Sequence, residues 1–165
     1  MAQLLFNAAF AVAAPFWALM IVAPGWSWTR RIVSSPLIVL PVLAVYLTAV
    51  APILPQFAPE LLRPQLAGVQ ALLATAAGTT AIWAHVIAFD LFVGRWMYLD
   101  SRERAIHPLV MAPLLVLTIL MAPLGLLLHL SLRRAATVQQ PDEPPGFTKP
   151  FRRLFNGPSQ LPNGE

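Results

Sequence analysis

The chain has 165 residues, of which 58% are apolar and only 11% are charged. A soluble domain has roughly 45–50% apolar and about 25% charged residues, so this composition excludes a small soluble globule and predicts an integral membrane protein. The absence of cysteine excludes disulfides, thiolate metal sites, iron–sulfur clusters and cysteine nucleophiles.

Four long apolar runs follow one another, and each is close to the ~20 residues that a helix needs to cross a bilayer. They cover residues 3–23, 35–54, 66–89 and 108–132, separated by three short connections. Short connections place consecutive helices side by side and antiparallel. Residues 1–134 are therefore predicted to form an all-α fold, an integral membrane up-down bundle of four transmembrane helices.

The first run has no basic residue before its apolar stretch, and it continues well past the small residues that resemble a cleavage site, Ala11 to Ala13. We interpret it as a retained helix rather than a signal peptide. No transit peptide rich in arginine and serine precedes it. This favours a bacterial inner membrane or, for a chain already processed, a thylakoid-type membrane.

Proline lies inside every run except the third, at Pro15, Pro41, Pro113 and Pro123. Interior proline kinks a helix, and two readings stay open: simple tolerance in lipid, or a bundle that splays to open a cleft. The third run instead carries small residues at alternating spacings of four and three, which predicts the central packing helix. These positions are Ala74, Gly78, Ala81, His85, Ala88 and Phe92.

After Arg134 the chain becomes polar and rich in proline. Such a segment cannot bury enough apolar surface to fold, so residues 135–165 are predicted to form a disordered tail.

The net charge is +4, and ten of the eleven basic residues are arginines that lie in small groups at the ends of the apolar runs. This distribution is typical of topology-determining and headgroup-binding charges, and it argues against nucleic-acid binding. With four crossings, loops one and three carry five arginines close to the helices and the other side carries three. The first group is Arg30, Arg31, Arg95, Arg102 and Arg104, and the second is Arg63, Arg133 and Arg134. The bias predicts cytoplasmic loops one and three, with the N-terminus and tail external.

The sequence contains only three histidines, His85, His107 and His129. Membrane di-iron oxygenases and desaturases need many more, so that class is excluded. No glycine-rich dinucleotide loop, phosphate loop or GxSxG motif is present. We therefore predict neither a redox cofactor nor a metal site.

Ionisable residues concentrate between His85 and His107. An ionisable group within a transmembrane run is costly and marks a functional candidate, which selects His85; the alternative is a neutral imidazole hydrogen-bonded across the small-residue seam. Asp90 lies five residues later, ~140° around an ideal helix, so the two do not share a face. Its alternative role is an interfacial ion pair with Arg95 or Arg102.

Asp100, Glu103 and His107 have a spacing that would place them on one face of a continuing helix. Carboxylates with an imidazole can hold a divalent metal. Interleaved arginines and the proline at Pro108, a residue favoured at a helix start, argue instead for a solvated charged loop.

Several segments resemble the signature of the abscisic-acid-deficient-four-like family, small four-helix membrane proteins of plants, algae and cyanobacteria. They read WAH at residues 83–85, FDLFVGRW at 89–96 and YLDSRER at 98–104, with further agreement at 15–20, 35–41 and 125–128. The resemblance covers about residues 4–132. The positions that match the central motif are His85, Asp90, Gly94, Arg95, Asp100, Arg102, Glu103 and Arg104.

The resemblance implies a role in xanthophyll metabolism, because the plant family is required to form neoxanthin from violaxanthin. If the chain is itself an enzyme, the implied reaction is a redox-neutral carotenoid isomerisation, which needs a general acid and a base. We hypothesise that Asp90 or His85 does this acid–base work and that Arg95 orients the carboxylate. The implied partners are the lipid bilayer and a carotenoid or other lipid-soluble small molecule.

Two other functions stay open. The first is a non-catalytic membrane partner that binds carotenoid or positions another membrane protein. The second is a small transporter, which would need a continuous polar path through the bundle.

Overall fold

A computed structural model describes residues 1–134, apart from the side chain of Leu61. This part of the chain is helical and contains no strand. In chain order the α-helices are α1 (Ala2–Val22), α2 (Ser27–Ser34), α3 (Leu40–Val50), α4 (Leu54–Leu62), α5 (Leu66–Leu73), α6 (Ala76–Glu103) and α7 (Pro108–Arg133). The predicted disorder of residues 135–165 lies outside the described residues.

Four helical stretches in the described chain are long and apolar enough to cross a membrane, which confirms the predicted all-α integral membrane class. They are Ala2–Val22, Pro36–Glu60, Ala76–Glu103 and Pro108–Arg133. The second is segmented, because it joins α3 and α4 through short 3-10 turns at Pro36–Val39 and Ala51–Ile53. A proline stands in the first two positions of each of its segments, where its missing N–H costs no helical hydrogen bond.

The third long helix differs from the predicted range of 66–89. The chain breaks after α5, and α6 starts anew at Ala76, where the Thr75 hydroxyl caps it by accepting a hydrogen bond from the Gly78 N–H at 2.9 Å. It then runs on to Glu103. At 28 residues α6 is ~42 Å long. The connection predicted at residues 90–107 is therefore wrong for residues 90–103, which are helical.

The central helix of the bundle is α6. Helix α1 runs parallel to α6, as two contacts show. Phe6 stacks on Trp83 with ring centroids 5.0 Å apart, and Trp17, later in α1, lies against Gly94, later in α6. The second long stretch runs antiparallel to α6. Tyr98, in the C-terminal third of α6, donates a hydrogen bond to the Pro24 carbonyl at 2.8 Å. This contact holds the connection between α1 and α2 at the C-terminal end of α6.

The last long helix, α7, is interrupted at Met121, whose backbone angles (φ −150°, ψ 75°) are not helical. Before this point Thr118 reaches the Met97 sulfur at 3.5 Å. Beyond it, Gly125 packs directly on the backbone of Thr118, a residue that a straight helix would keep ~10 Å away. The chain therefore reverses at Met121.

Both ends of α7 consequently lie at the C-terminal end of α6. The Arg104 guanidinium donates to the Arg133 carbonyl at 3.5 Å, and Arg104 stands only four residues before Pro108. We call this end of the bundle, formed by α2, the last turns of α6 and both ends of α7, the arginine-rich end. The prediction that Arg133 and Arg134 lie opposite loops one and three is wrong, because it assumed an uninterrupted fourth helix.

Candidate functional site

The structure separates the three residues that the sequence selected for acid–base work. His85 is half-buried between two aromatic rings, with ring centroids 5.6 Å from Tyr46 and 4.8 Å from Phe89. Asp90 is buried elsewhere on α6 and makes no hydrogen bond or ion pair within residues 1–134. The absence of a shared face agrees with their spacing of five residues.

Arg95 does not pair with Asp90 either, so the predicted carboxylate orientation is not formed. Its Nε donates to the carbonyls of Val33 at 2.8 Å and Ser35 at 3.3 Å, and its Nη2 donates to the Ser34 carbonyl. These are the orphan carbonyls at the C-terminus of α2, where a cation is favoured. Arg95 therefore fastens α2 to α6.

A different cluster of ionisable groups forms around Asp100. Its Oδ2 lies 3.0 Å from Arg104 Nε and 3.0 Å from His129 Nε2, and its Oδ1 lies 3.4 Å from Arg133 Nη2. Asp100 is only 8% exposed. The expectation of a solvated charged loop is therefore wrong for Asp100, because α6 continues and turns this carboxylate toward α7.

His129 is the most enclosed member of this cluster, at 0% exposed. When the imidazole is neutral, donation from Nε2 to Asp100 leaves Nδ1 as an acceptor. That Nδ1 is buried and has no hydrogen-bond partner in the described part of the chain. A carboxylate that fixes the tautomer of a histidine with a free ring nitrogen is a typical acid–base arrangement.

Trp96 forms one wall of the Asp100 cluster. Its ring meets the His129 ring edge-on at a centroid distance of 5.4 Å, and the Arg133 guanidinium carbon lies 5.2 Å from the Trp96 centroid. An aromatic face attracts a cation and excludes water. Arg104 and Arg133 remain partly accessible, with side chains 18% and 28% exposed. The cluster is thus closed at the imidazole and open at the guanidinium groups.

The remaining motif positions have other surroundings. Gly94 packs against the Trp17 ring, and Arg102 and Glu103 are exposed. His107 caps α7, its Nδ1 accepting a hydrogen bond from the Leu109 N–H at 3.2 Å. Asp100, Glu103 and His107 therefore do not converge, and no group of three or more metal-ligating side chains is found in residues 1–134.

Sequence reasoning did not select His129 or Arg133. The criterion that selected His85, an ionisable group within an apolar run, applies equally to His129. The sequence did not reveal a partner for His129, because an uninterrupted fourth helix would carry His129 far from Asp100.

An apolar cavity of about 300 Å³ lies between the second long stretch and α6. It is lined by Val39, Leu43, Ala88, Phe89 and Phe92. Phe89 also contacts His85. The cavity offers a surface for a rigid hydrocarbon within the bilayer.

Comparison with known proteins gives two matches. A family described as ABA DEFICIENT 4-like matches residues 4–129. Protein ABA DEFICIENT 4, chloroplastic, of Arabidopsis thaliana is 30% identical over 121 residues, which is 70% of this chain and 54% of the plant protein. The chain thus spans about half the length of this curated relative. No solved structure matches the chain.

Proposed function

Because the chain belongs to the ABA DEFICIENT 4-like family, we propose that it acts in carotenoid metabolism, on a xanthophyll epoxide held in the bilayer. The membrane is of the bacterial inner or thylakoid type. The apolar cavity beside Phe89 and Phe92 accommodates part of the polyene, and the polar cluster around Asp100 lies toward one end of the bundle. A long xanthophyll likewise places a polar ring at the end of an apolar polyene.

The proposed reaction is an isomerisation without a redox change. The C–O bond of the epoxide breaks, a proton leaves the neighbouring vinylic carbon, and the electron pair of that C–H bond completes an allene. The oxygen takes up a proton and becomes a hydroxyl group. Atoms and electrons balance, so the protein has to supply only a base, an acid and polarisation of the oxygen.

The observation that carries this proposal is the buried Asp100–His129 pair with its free Nδ1. In our assignment His129 Nδ1 accepts the proton from carbon, and Asp100 stabilises the imidazolium that forms. Arg133 polarises the epoxide oxygen, since its side chain is 28% exposed and a guanidinium carries five N–H donors, more than its contact with Asp100 occupies. Because His129 has no exposed surface, substrate access requires the second half of α7 to move.

The test is conversion of violaxanthin by the purified protein in liposomes. Glutamine at position 129 can still donate to Asp100 but cannot exchange a proton, so His129→Gln should lower the rate by ~10²–10⁴ while the melting temperature changes little. Asp90→Asn is the matched control and should retain the rate. An active His129→Gln protein, or an inactive Asp90→Asn protein beside it, would return the assignment to the residues selected from sequence.

A second candidate is a carotenoid-binding membrane subunit without turnover, and full burial of His129 favours it. The apolar cavity would then be the functional feature. Such a protein would shift the absorption spectrum of an added xanthophyll and return it chemically unchanged. Phe92→Ala, which removes an exposed part of the cavity wall, should weaken that binding, whereas His129→Gln should not.

A further inference from the structure

A second cavity, which is polar and has a volume of about 460 Å³, opens at the arginine-rich end between α2 and α6. Three arginines line it: Arg30 and Arg31 from α2, and Arg102 from α6. Tyr98 and Ser27 also line it. The arginines around Asp100 do not line this cavity, so it is separate from the cluster assigned to acid–base work.

The positive charge of this cavity is not compensated within the described chain. Residues 1–134 contain four carboxylates. Within this region, Asp100 is the one carboxylate that forms ion pairs with arginine, and its partners are Arg104 and Arg133. Arg30, Arg31 and Arg102 have no ion-pair partner in this region. Three arginines line one concave site, and the guanidinium carbon of one of them, Arg31, lies 5.3 Å from the centroid of the Trp28 ring. Positive side chains lining a concave site focus a positive potential that attracts an anion.

The cavity lies at the depth expected for lipid headgroups. Trp26 and Trp28 beside it are 53% and 51% exposed, and exposed tryptophans are enriched at the membrane–water interface. Helix α2 is amphipathic, with Thr29 and Val33 buried while Arg30 and Arg31 are exposed. Helices of this kind lie in the interface plane. The anion that this depth supplies in quantity is phosphate.

We propose that this cavity binds a phosphate group, through Arg30, Arg31 and Arg102 with help from the Ser27 hydroxyl. The planar guanidinium donates two parallel hydrogen bonds to phosphate oxygens, which makes arginine the preferred residue for such sites. The hydrogen bond from Tyr98 to Pro24 keeps the cavity open by fixing the loop that forms its rim. The phosphate belongs either to an anionic phospholipid or to a small soluble phosphate ester.

The lipid arm of the test uses the full chain in nanodiscs containing phosphatidylglycerol diluted in phosphatidylcholine, with lipid retention measured by native mass spectrometry. The double variant Arg30→Gln and Arg102→Gln should bind phosphatidylglycerol roughly 25-fold more weakly, given about fivefold per basic residue near a lipid surface. Arg63→Gln, an exposed arginine at the opposite end, is the matched control and should retain wild-type affinity.

The soluble arm titrates the same three proteins in detergent with inorganic phosphate against a chloride background. Binding in this arm that is lost in the double variant, without a lipid preference, identifies a soluble phosphate ester as the ligand. Binding in the nanodisc arm alone identifies the lipid. If neither arm distinguishes the double variant from Arg63→Gln while all three proteins melt at the same temperature, the proposal is overturned.

Discussion

The reversal of α7 at Met121 makes a prediction about membrane topology that can be checked directly. A straight helix of 26 residues would hold its ends ~39 Å apart. Instead, the Arg133 carbonyl lies 3.5 Å from Arg104 Nη1, and the four residues from Arg104 to Pro108 can span at most ~14 Å. Both ends of α7 should therefore face the same side of the membrane.

The assay is single-cysteine labelling, for which the chain provides a background without cysteine. Gly25→Cys reports the side of loop one, since nothing lies within 4 Å of a Cβ placed there. Gln65→Cys, at an exposed residue, reports the opposite end. A membrane-impermeant maleimide applied to sealed vesicles should label Arg134→Cys together with Gly25→Cys. Labelling of Arg134→Cys together with Gln65→Cys would refute the reversal.

Gly125→Leu perturbs the reversal itself. A Cβ at Gly125 would collide with the hydroxyl and the backbone of Thr118, and overpacking of this kind costs about 1–3 kcal/mol. The variant should melt earlier in detergent, and Arg134→Cys in this background should lose its single-sided labelling. Gly25→Leu is the control for the change of residue type. Wild-type behaviour of Gly125→Leu in both measurements would mean that the two halves of α7 do not pack as described.

Three further results are expected from thermal unfolding in detergent. Asp100→Asn should lower the unfolding free energy by about 3 kcal/mol, because a charged partner is removed from a buried cluster; no loss would show that the cluster is solvated. Gly94→Leu should cost about 1–3 kcal/mol through collision with Trp17, and a neutral result would place that ring elsewhere. His85→Gln should cost about 1 kcal/mol, since His85 makes only ring contacts; a far larger loss would indicate a polar partner.

The membrane class and the four long helices followed from hydropathy, because in a bilayer an apolar run has few alternatives to a helix. The small-residue seam was right where it meets other helices, at Gly78, Ala81 and Ala88, which are buried. It was wrong at its two ends, since Ala74 and Phe92 are exposed. Periodicity identifies a face of a helix, but it does not show how far a neighbour covers that face.

The C-terminal extension of α6 could not be predicted from hydropathy. An apolar run ends where charged residues begin, but Arg95 and Asp100 are satisfied by carbonyls and cations of the protein itself. The reversal of α7 could not be predicted from hydropathy either. Pro123 stands two residues after the break, as at a helix start, yet Pro113 lies within an unbroken part of the same helix. Only tertiary contacts distinguish these two prolines.

The candidate site exists only because α7 reverses. His129 follows Pro108 by 21 residues, so a straight helix would carry it ~32 Å away, beyond any contact with Asp100. The reversal returns it, and Arg133 four residues later, to the end of α6 where Asp100 and Arg104 lie. The proposed acid–base function and the topology of α7 are therefore linked, and loss of the Thr118–Gly125 contact should remove both.

The same geometry changes the argument about orientation. Of the eight arginines in residues 1–134, seven now lie at or near the arginine-rich end and Arg63 lies at the other. The sequence alone predicted five arginines on the side of loops one and three and three arginines on the other side. Because basic residues close to membrane helices are retained in the cytoplasm, we expect loops one and three to be cytoplasmic, together with Arg134, and the N-terminus to be external. In intact cells an impermeant maleimide should therefore label Gln65→Cys and spare both Gly25→Cys and Arg134→Cys; the opposite pattern would show that another signal overrides the arginine bias.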